Sequence, residues 1–379
     1  MNILFLAPQP FYSQRGTPIA IRAALEALSE SGHAVDLLTY FAGEDIDIAN
    51  VRLHRIPRPP LIKEVPIGPS WSKVPCNVFM LVQAYKMLRR YSYDVIHGVE
   101  DGAILARFVS RRTGHPYVYD MDSHMSGQIA QKSRWLAPVA RLFEVLESDA
   151  LKSAAGVLAV CPALAEIAER YQDAPRVALL PDMPLYNADQ VVPSQEITRL
   201  GGTRIVYVGN LQHYQGVHLL LEAFARIVAA HPEAKTIIVG GSPEDIERHA
   251  RPVRDLVDGG RVHFLGPRPL DQLGPILMAS DILVSPRLQG VNTPMKLYSY
   301  LESGRPVLAT RLVTHTQILD DNVACLVKPV ASEMGKGILK LVEAPELRAR
   351  LGAAGQELVR SEYGRERFNQ RLRSFYRRL

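Results

Sequence analysis

Cysteine is scarce in this 379-residue chain: there are three, Cys76, Cys161 and Cys325, far apart and never in a C-x-x-C pair. That argues against a disulfide framework and against a zinc site of ordinary spacing, and it suits a reducing compartment such as the cytoplasm. The loop after the first strand holds one glycine, Gly16, where a dinucleotide site wants G-x-G-x-x-G, so a nicotinamide cofactor is not expected. No apolar run approaches the roughly 20 residues of a membrane span. The N-terminal MNILFLAPQPFY lacks the basic region and long apolar helix of a signal peptide. Basic and aromatic residues are not interleaved as in base-stacking surfaces, so no nucleic acid is expected. Neither sign of charge dominates: the formal net charge is +5, and the arginines crowded near the C-terminus alternate with glutamates, as on a solvated helix face. Such a balance permits anionic ligands or an anionic lipid surface without requiring either.

Apolar residues make up 47% of the chain, enough for two cores. Short β-like runs alternate with helical patterns: NILFLA, a helix over 18–31, HAVDLLTY, then DVIHGV, YVYDM and GVLAV. This alternation predicts a parallel sheet wrapped by helices. A second series follows, with TRIVYVGN, a helix over 217–230, TIIVGG, a helix over 243–256, VHFLG, DILVSP and PVLAT. The proline-containing, aperiodic stretch 179–202 separates the two series and reads as the linker, dividing the chain into domains over 1–190 and 191–360. The proline-rich segment 55–75 reads as a long loop running into a helix over 78–90.

The densest signal is Ser285 to Thr310, SPRLQGVNTPMKLYSYLESGRPVLAT, in which a buried strand, a glycine loop, a helix start and a second strand follow in succession. Gly290 frees the loop backbone, Thr293 can cap a helix, and Pro294 suits its first position. Lys296 then falls in the first turn, where a cation opposes the helix dipole unless an anion shares the place.

The pattern Pro294-x-Lys296-Leu297-x-x-Tyr300-x-x-x-Gly304-x-Pro306-Val307 resembles the donor-nucleotide loop of the family 4 retaining glycosyltransferases. The resemblance runs in order through nearly the whole chain. It implies the GT-B fold, two Rossmann-like parallel-sheet domains facing a central cleft, with a last helix over 361–379 crossing back to the first domain. Phe368, Leu372 and Phe375 have spacing suited to that packing. The family's E-x7-E glutamates are absent: Val291 and Ser299 stand in their places. The segment VGNLQHYQGVHLLLEAF resembles the family's G-R-L-x-x-x-K-G run, with Asn210 and Gln215 replacing the arginine and lysine that serve the leaving diphosphate.

Carried over position by position, the resemblance implies that Gly209, Asn210, Gln215, Gly241, Arg268, Gly290, Val291, Asn292, Thr293 and Lys296 hold the donor, with Ser299 on the ribose. Arg15 and Gly16 resemble a reduced form of the family's glycine-rich turn, although Gly16 also fits a simple turn and Arg15 a solvated side chain. Arg268 and Gly241 likewise fit a solvated arginine and a strand end. His97 in DVIHGVED, and Asp122 and His124 in YVYDMDSHMS, resemble the segments that face the transferred sugar and acceptor. His97 also fits a hydrogen-bonded core histidine. No metal is implied, and in the front-face mechanism proposed for this family the leaving phosphate itself receives the acceptor proton.

The function so implied is transfer of a hexose-type sugar from a nucleoside diphosphate sugar to a glycan or lipid-linked acceptor in cell-surface polysaccharide or glycolipid assembly, in the cytoplasm. Lys63, Trp71 and Lys73 beside an apolar helix with a basic end suit a peripheral contact with the inner face of the membrane, and equally an ordinary packed loop. Loss of both glutamates, the arginine and the lysine also fits a non-catalytic binding or regulatory subunit. A nucleotide-sugar epimerase shares the fold, but the acid and base carboxylates it needs cannot be placed in this sequence.

Overall fold

The computed structural model describes residues 1–379 apart from 14–15, 61, 66–69, 71, 126–136 and 174–175 and the side chains at 137 and 139. Arg15 and Trp71 therefore lie outside the described residues. The chain forms two compact units, Met1–Pro181 with Phe368–Leu379, and Asp182–Arg367.

In the first unit the described residues build a seven-stranded sheet from β1 (Asn2–Ala7), β2 (Ala34–Thr39), β3 (Val51–Arg55), β4 (Val95–Val99), β5 (Tyr117–Met121), β6 (Gly156–Ala159) and β7 (Val177–Leu179). Their order is β3-β2-β1-β4-β5-β6-β7 and every pair is parallel. Helices α1 (Gly16–Glu30), α2 (Lys73–Arg90), α3 (Asp101–Thr113), α4 (Ala137–Ser153) and α5 (Pro162–Ala168) carry the chain between strands. Covering helices explain why β1 and β4 are almost wholly apolar rather than alternating.

The second unit repeats the plan with β8 (Arg204–Val208), β9 (Lys235–Val239), β10 (Val262–Gly266), β11 (Ile282–Ser285), β12 (Val307–Thr310) and β13 (Cys325–Val327), in the order β10-β9-β8-β11-β12-β13. Its longer helices are α6 (Val217–Ile227), α7 (Pro243–Ala250), α8 (Arg254–Asp258), α9 (Leu273–Met278), α10 (Lys296–Glu302), α11 (Ala331–Glu343) and α12 (Pro345–Glu362). In both units the chain starts in the middle of its sheet, runs to one edge, then returns to the middle. Strand order therefore reverses between β1 and β4 and between β8 and β11. Ligands in open α/β sheets gather beyond the carboxyl ends of the strands at such reversals.

Several local expectations are corrected. The single helix over 243–256 is two, α7 and α8, with a 3-10 turn at Arg251–Val253, because Pro252 cannot supply the N–H that a continuous helix needs. The helix expected over 78–90 starts at Lys73. Strands β3, β7 and β13 are too short or too polar to have shown periodicity. The last helix, α13 (Arg365–Tyr376), places Phe368, Leu372, Phe375 and Tyr376 in buried positions, and the Phe375 ring lies where a Cβ on Gly156 would stand.

Candidate functional site

The strongest site lies in the second unit at the reversal between β8 and β11. Two loops build it. One leaves β8 through Gly209 to Gly216; the other leaves β11 through Pro286 to Met295 and leads into α10. They are tied together where Leu288 N–H donates to the Tyr214 carbonyl (2.9 Å). Gly216 is left-handed (φ 72°), and a Cβ there would stand 1.9 Å from the Pro286 carbonyl oxygen, so only glycine permits the approach.

Two cations meet between these loops. Lys296 is the first residue of α10; its Nζ lies 4.0 Å from the centre of the Tyr207 ring and donates to Gln215 Oε1 at 3.3 Å. Arg287 is 8% exposed, its Nη1 donating to the Asn292 carbonyl (3.0 Å) and Thr314 Oγ1 (3.4 Å), while its guanidinium lies over Tyr214. Its Nε is buried without a hydrogen-bond partner among the described residues. Gly290 (φ 133°) closes over the same guanidinium, and a Cβ there would come within 3.1 Å of it. Neither cation has a carboxylate partner among the described residues. Glu302, the only acid between Ser285 and Thr310, is paired instead with Arg360 at 3.0 Å.

Uncompensated burial has an electrostatic signature. Burial pushes the Lys296 ammonium well below the ordinary lysine value, and the nearby Arg287 charge pushes it further. Burial likewise lowers Arg287, against weaker opposing contributions from Tyr214 and Tyr207. His315, fully buried behind them, is lowered to about 3, chiefly by burial, with Lys296 and Arg287 adding to the shift. The carbonyl of Thr310 can only accept, so His315 Nδ1 carries the proton to it (2.6 Å), leaving Nε2 to accept from Ser285 Oγ (2.9 Å). The neutral imidazole braces the floor of the site and adds no third charge. Two desolvated cations without a counter-ion among the described residues are costly alone and become favourable when a dianion enters.

The structure gathers Gly209, Gln215, Gly290, Asn292 and Lys296 around this site. Gly209 (φ 147°) faces Lys296 Nζ, which would stand 3.5 Å from a Cβ there. Asn210 caps its own turn, its Oδ1 accepting from Gln212 N–H, and its carbonyl accepts from Tyr207 Oη. Val291 and Thr293 are bound through oxygen atoms to Gln317 Nε2. Thr293 does not cap α10, whose N-cap is Met295 without a side-chain hydrogen bond; Pro294 lies before the helix. Ser299 is corrected: it is fully buried and its Oγ accepts from the Leu185 N–H (3.1 Å), so its hydroxyl anchors the start of the unit rather than facing a ribose. Gly241 (φ 85°) packs on Leu211, and Arg268 is paired with Glu196 at 2.7 Å, both at neighbouring strand ends. Arg287 is the residue that sequence reasoning missed. It was legible as a cation two residues after β11, but only the fold shows it buried close enough for its charge to act on Lys296.

In the first unit, Gly16 begins α1 in open space. His97 is fully buried in β4, stacked on Phe5 (4.1 Å between ring centres), with Nδ1 2.6 Å from Tyr376 Oη and Nε2 3.1 Å from Asp120 Oδ2. A ring so enclosed cannot touch a substrate, which corrects its expected catalytic contact. His124 sits 3.5 Å from the buried Glu147 carboxylate, and Asp122 is half-buried beside it at the end of β5. At the end of β4, Glu100 adopts φ 50°, ψ −120° and accepts from Ser123 Oγ (2.9 Å); burial, with Asp101 and Asp120 nearby, raises its carboxyl.

Comparison with known proteins agrees with this architecture. Residues 15–182 match the model of the glycosyl transferase 4-like domain, and residues 202–344 match that of glycosyl transferases group 1. The chain belongs to the family 4-like glycosyltransferases of GT-B fold. It is 23% identical over 397 residues to alpha-D-kanosaminyltransferase of Streptomyces kanamyceticus, covering 95% of this chain and 99% of that one. A match at 22% identity to an uncharacterized glycosyltransferase of Methanocaldococcus jannaschii covers 46% of this chain and 45% of that protein, so the chain spans about half of that relative's length. Among solved structures, sucrose-phosphate synthase from Thermosynechococcus elongatus superposes with a TM-score of 0.79 at 21% identity, over 99% of this chain and 98% of that one. Anabaena HepE in complex with UDP-glucose superposes at 0.73 with 17% identity over the whole of both chains.

Proposed function

We propose that the protein is a retaining glycosyltransferase that moves a hexose-type sugar from a nucleoside diphosphate sugar to a glycan or lipid-linked acceptor, in assembly of a cell-surface polysaccharide or glycolipid. The observation that carries this reading is the pair of buried Arg287 and half-buried Lys296 at the strand-order reversal, with no acid paired to either among the described residues. A diphosphate supplies the missing charge. UDP-glucose bound to the HepE structure supports the same class of donor.

As the glycosidic bond breaks, negative charge grows on the leaving diphosphate, and fixed cations aimed there are usually the largest contribution to rate, about 3–4 kcal/mol for each donor removed. Arg287 and Lys296 take the place of the arginine and lysine absent at 210 and 215. Gln215, through its bond to Lys296, orients the ammonium rather than adding charge. With two side-chain cations in this position the reaction proceeds without a divalent ion, and the developing phosphate oxygen receives the acceptor proton.

The experiment is calorimetric titration with a panel of nucleoside diphosphate sugars, with and without a chelator, followed by slow donor hydrolysis, for the wild type and Lys296→Ala. One donor should bind, chelator should change nothing, and Lys296→Ala should weaken binding and hydrolysis together by about 100-fold. Absence of binding by every donor at millimolar concentration would favour the non-catalytic subunit.

The reading extends to the inner face of a membrane. No helix among the described residues is long and apolar enough to cross one. On α2, however, Val74, Val78 and Val82 are 53%, 55% and 49% exposed at a four-residue spacing, and the same helix ends in exposed Lys86, Arg89 and Arg90. An apolar stripe with a basic end suits an anionic lipid surface. Val78→Asp should abolish co-sedimentation with anionic vesicles; equal sedimentation of both proteins removes the membrane part of the proposal.

A further inference from the structure

Where β4 and β5 end, the fold assembles a buried chain of three polar side chains from three distant segments. Tyr376 comes from α13, His97 from β4 and Asp120 from β5, and they are linked at 2.6 and 3.1 Å. Tyr376 and His97 are 2% and 0% exposed, and their rings are parallel within 2°. The direction of the chain follows from its last member. A carboxylate oxygen only accepts, so His97 Nε2 carries a proton and donates to Asp120; in the neutral ring Nδ1 is then bare and accepts from the Tyr376 hydroxyl. A buried tyrosine and histidine so connected hold Oδ2 of the carboxylate and bias the direction of its other oxygen.

Asp120 differs from the two behind it. Its side chain is 13% exposed, and only Oδ2 is engaged among the described residues. Its carbonyl accepts from the Glu100 N–H (2.9 Å), the residue held at positive φ. The second carboxylate oxygen is thus fixed at the carboxyl edge of the sheet, next to the reversal between β1 and β4, with lone pairs available.

We propose that Asp120 binds a sugar hydroxyl through its open oxygen, and that His97 and Tyr376 are positioning residues by which the C-terminal helix sets the direction of that carboxylate. This deepens the transferase reading, since it gives the first unit a group for the hydroxyls of a glycan acceptor. Many surface aspartates meet a hydroxyl; what sets this one apart is the buried brace behind it. The brace also gives His97 a function compatible with its complete burial. The hydroxyl donates to the carboxylate and no covalent step is involved.

The test uses the full chain and two readouts that do not depend on turnover. The first is the ring nitrogen spectrum of His97, in which the wild type should show one protonated nitrogen, Nε2, and one accepting nitrogen, Nδ1. Tyr376→Phe deletes only the hydroxyl and should shift the Nδ1 signal. The second is titration with glucose as a probe of hydroxyl binding, followed at the amides of Asp120 and Glu100. These should shift in the wild type, shift with about tenfold weaker affinity in Asp120→Asn, and fall between in Tyr376→Phe, with the melting temperature recorded for each. An unchanged ring spectrum in Tyr376→Phe, no glucose response in the wild type, or an equal response in Asp120→Asn would overturn the proposal. Loss of the transferase reading has a separate signature, because donor binding depends on Lys296 and is measured independently of both readouts.

Discussion

The two sheets share a strand order and place opposite charges at the same position in it. Beyond the reversal of the first sheet stand Glu100, Asp101 and Asp120, and their nearest bonds are made inside the unit: Glu100 with Ser123, Asp101 with Asn77 (3.0 Å), Asp120 with His97. Beyond the reversal of the second stand Lys296 and Arg287, with no acid paired to them among the described residues. One topology therefore serves two chemistries. The strand order fixes where a ligand can lie, and the charge left unneutralised there selects what it is. A carboxylate with a free lone pair suits hydroxyl groups, whereas two desolvated cations demand a polyanion.

Four measurements would break or sharpen that contrast. The largest effect is expected from Arg287→Ala, which removes the better enclosed cation and should weaken binding of whichever nucleoside diphosphate sugar the panel identifies by about 3 kcal/mol, on the order of 100-fold, in calorimetry; an unchanged dissociation constant would show that the second site is not selected by charge.

His315 gives the next. Its folded value, about 3, lies below the 6.5 of a free imidazole, so between those values the unfolded chain binds the extra proton and stability falls as pH falls. Between pH 7 and 5 the wild type should lose about 2 kcal/mol more than His315→Gln in denaturant unfolding; parallel curves would mean that the cations do not stand over a neutral ring.

Lys296→Met should act in the opposite direction on stability. Replacing a desolvated ammonium that has no carboxylate partner among the described residues with an apolar chain of similar length should stabilise the ligand-free protein by about 1 kcal/mol while weakening donor binding no more than Arg287→Ala does, a divergence seen by comparing melting temperature with titration. The smallest effect belongs to the first unit. Glu100→Gly relieves a non-glycine residue at φ 50° and should gain up to about 1 kcal/mol, leaving nucleotide-sugar affinity unchanged because the proposed donor site lies at the other sheet.

Much of this was legible before the structure. The alternation of NILFLA, HAVDLLTY and DVIHGV with helical patterns specified a parallel sheet, since strands covered on both faces become continuous apolar runs. The short edge strands escaped notice because three residues such as Val177–Leu179 carry no period. At the site, Gly290 and Lys296 were readable from the loop. Ser299 misled because alignment gives a position and not a direction: on a helix one residue turns the side chain by about 100°, and at 299 that direction is inward, toward Leu185.

The sequence by itself determined the two-fold repetition of the fold, the family and the glycine loop that leads into a helix at Lys296, because each depends on local pattern: apolar periodicity, a glycine that permits positive φ, a lysine at a helix start. Only the tertiary structure decided which charges remain uncompensated. Arg360 and Glu302 lie 58 positions apart and neutralise each other at 3.0 Å, while Arg287 and Lys296, nine apart, have no acid partner among the described residues. Tyr376 reaches His97 across 279 positions. Coulomb energy and desolvation depend on distance and burial in space, and chain order sets neither.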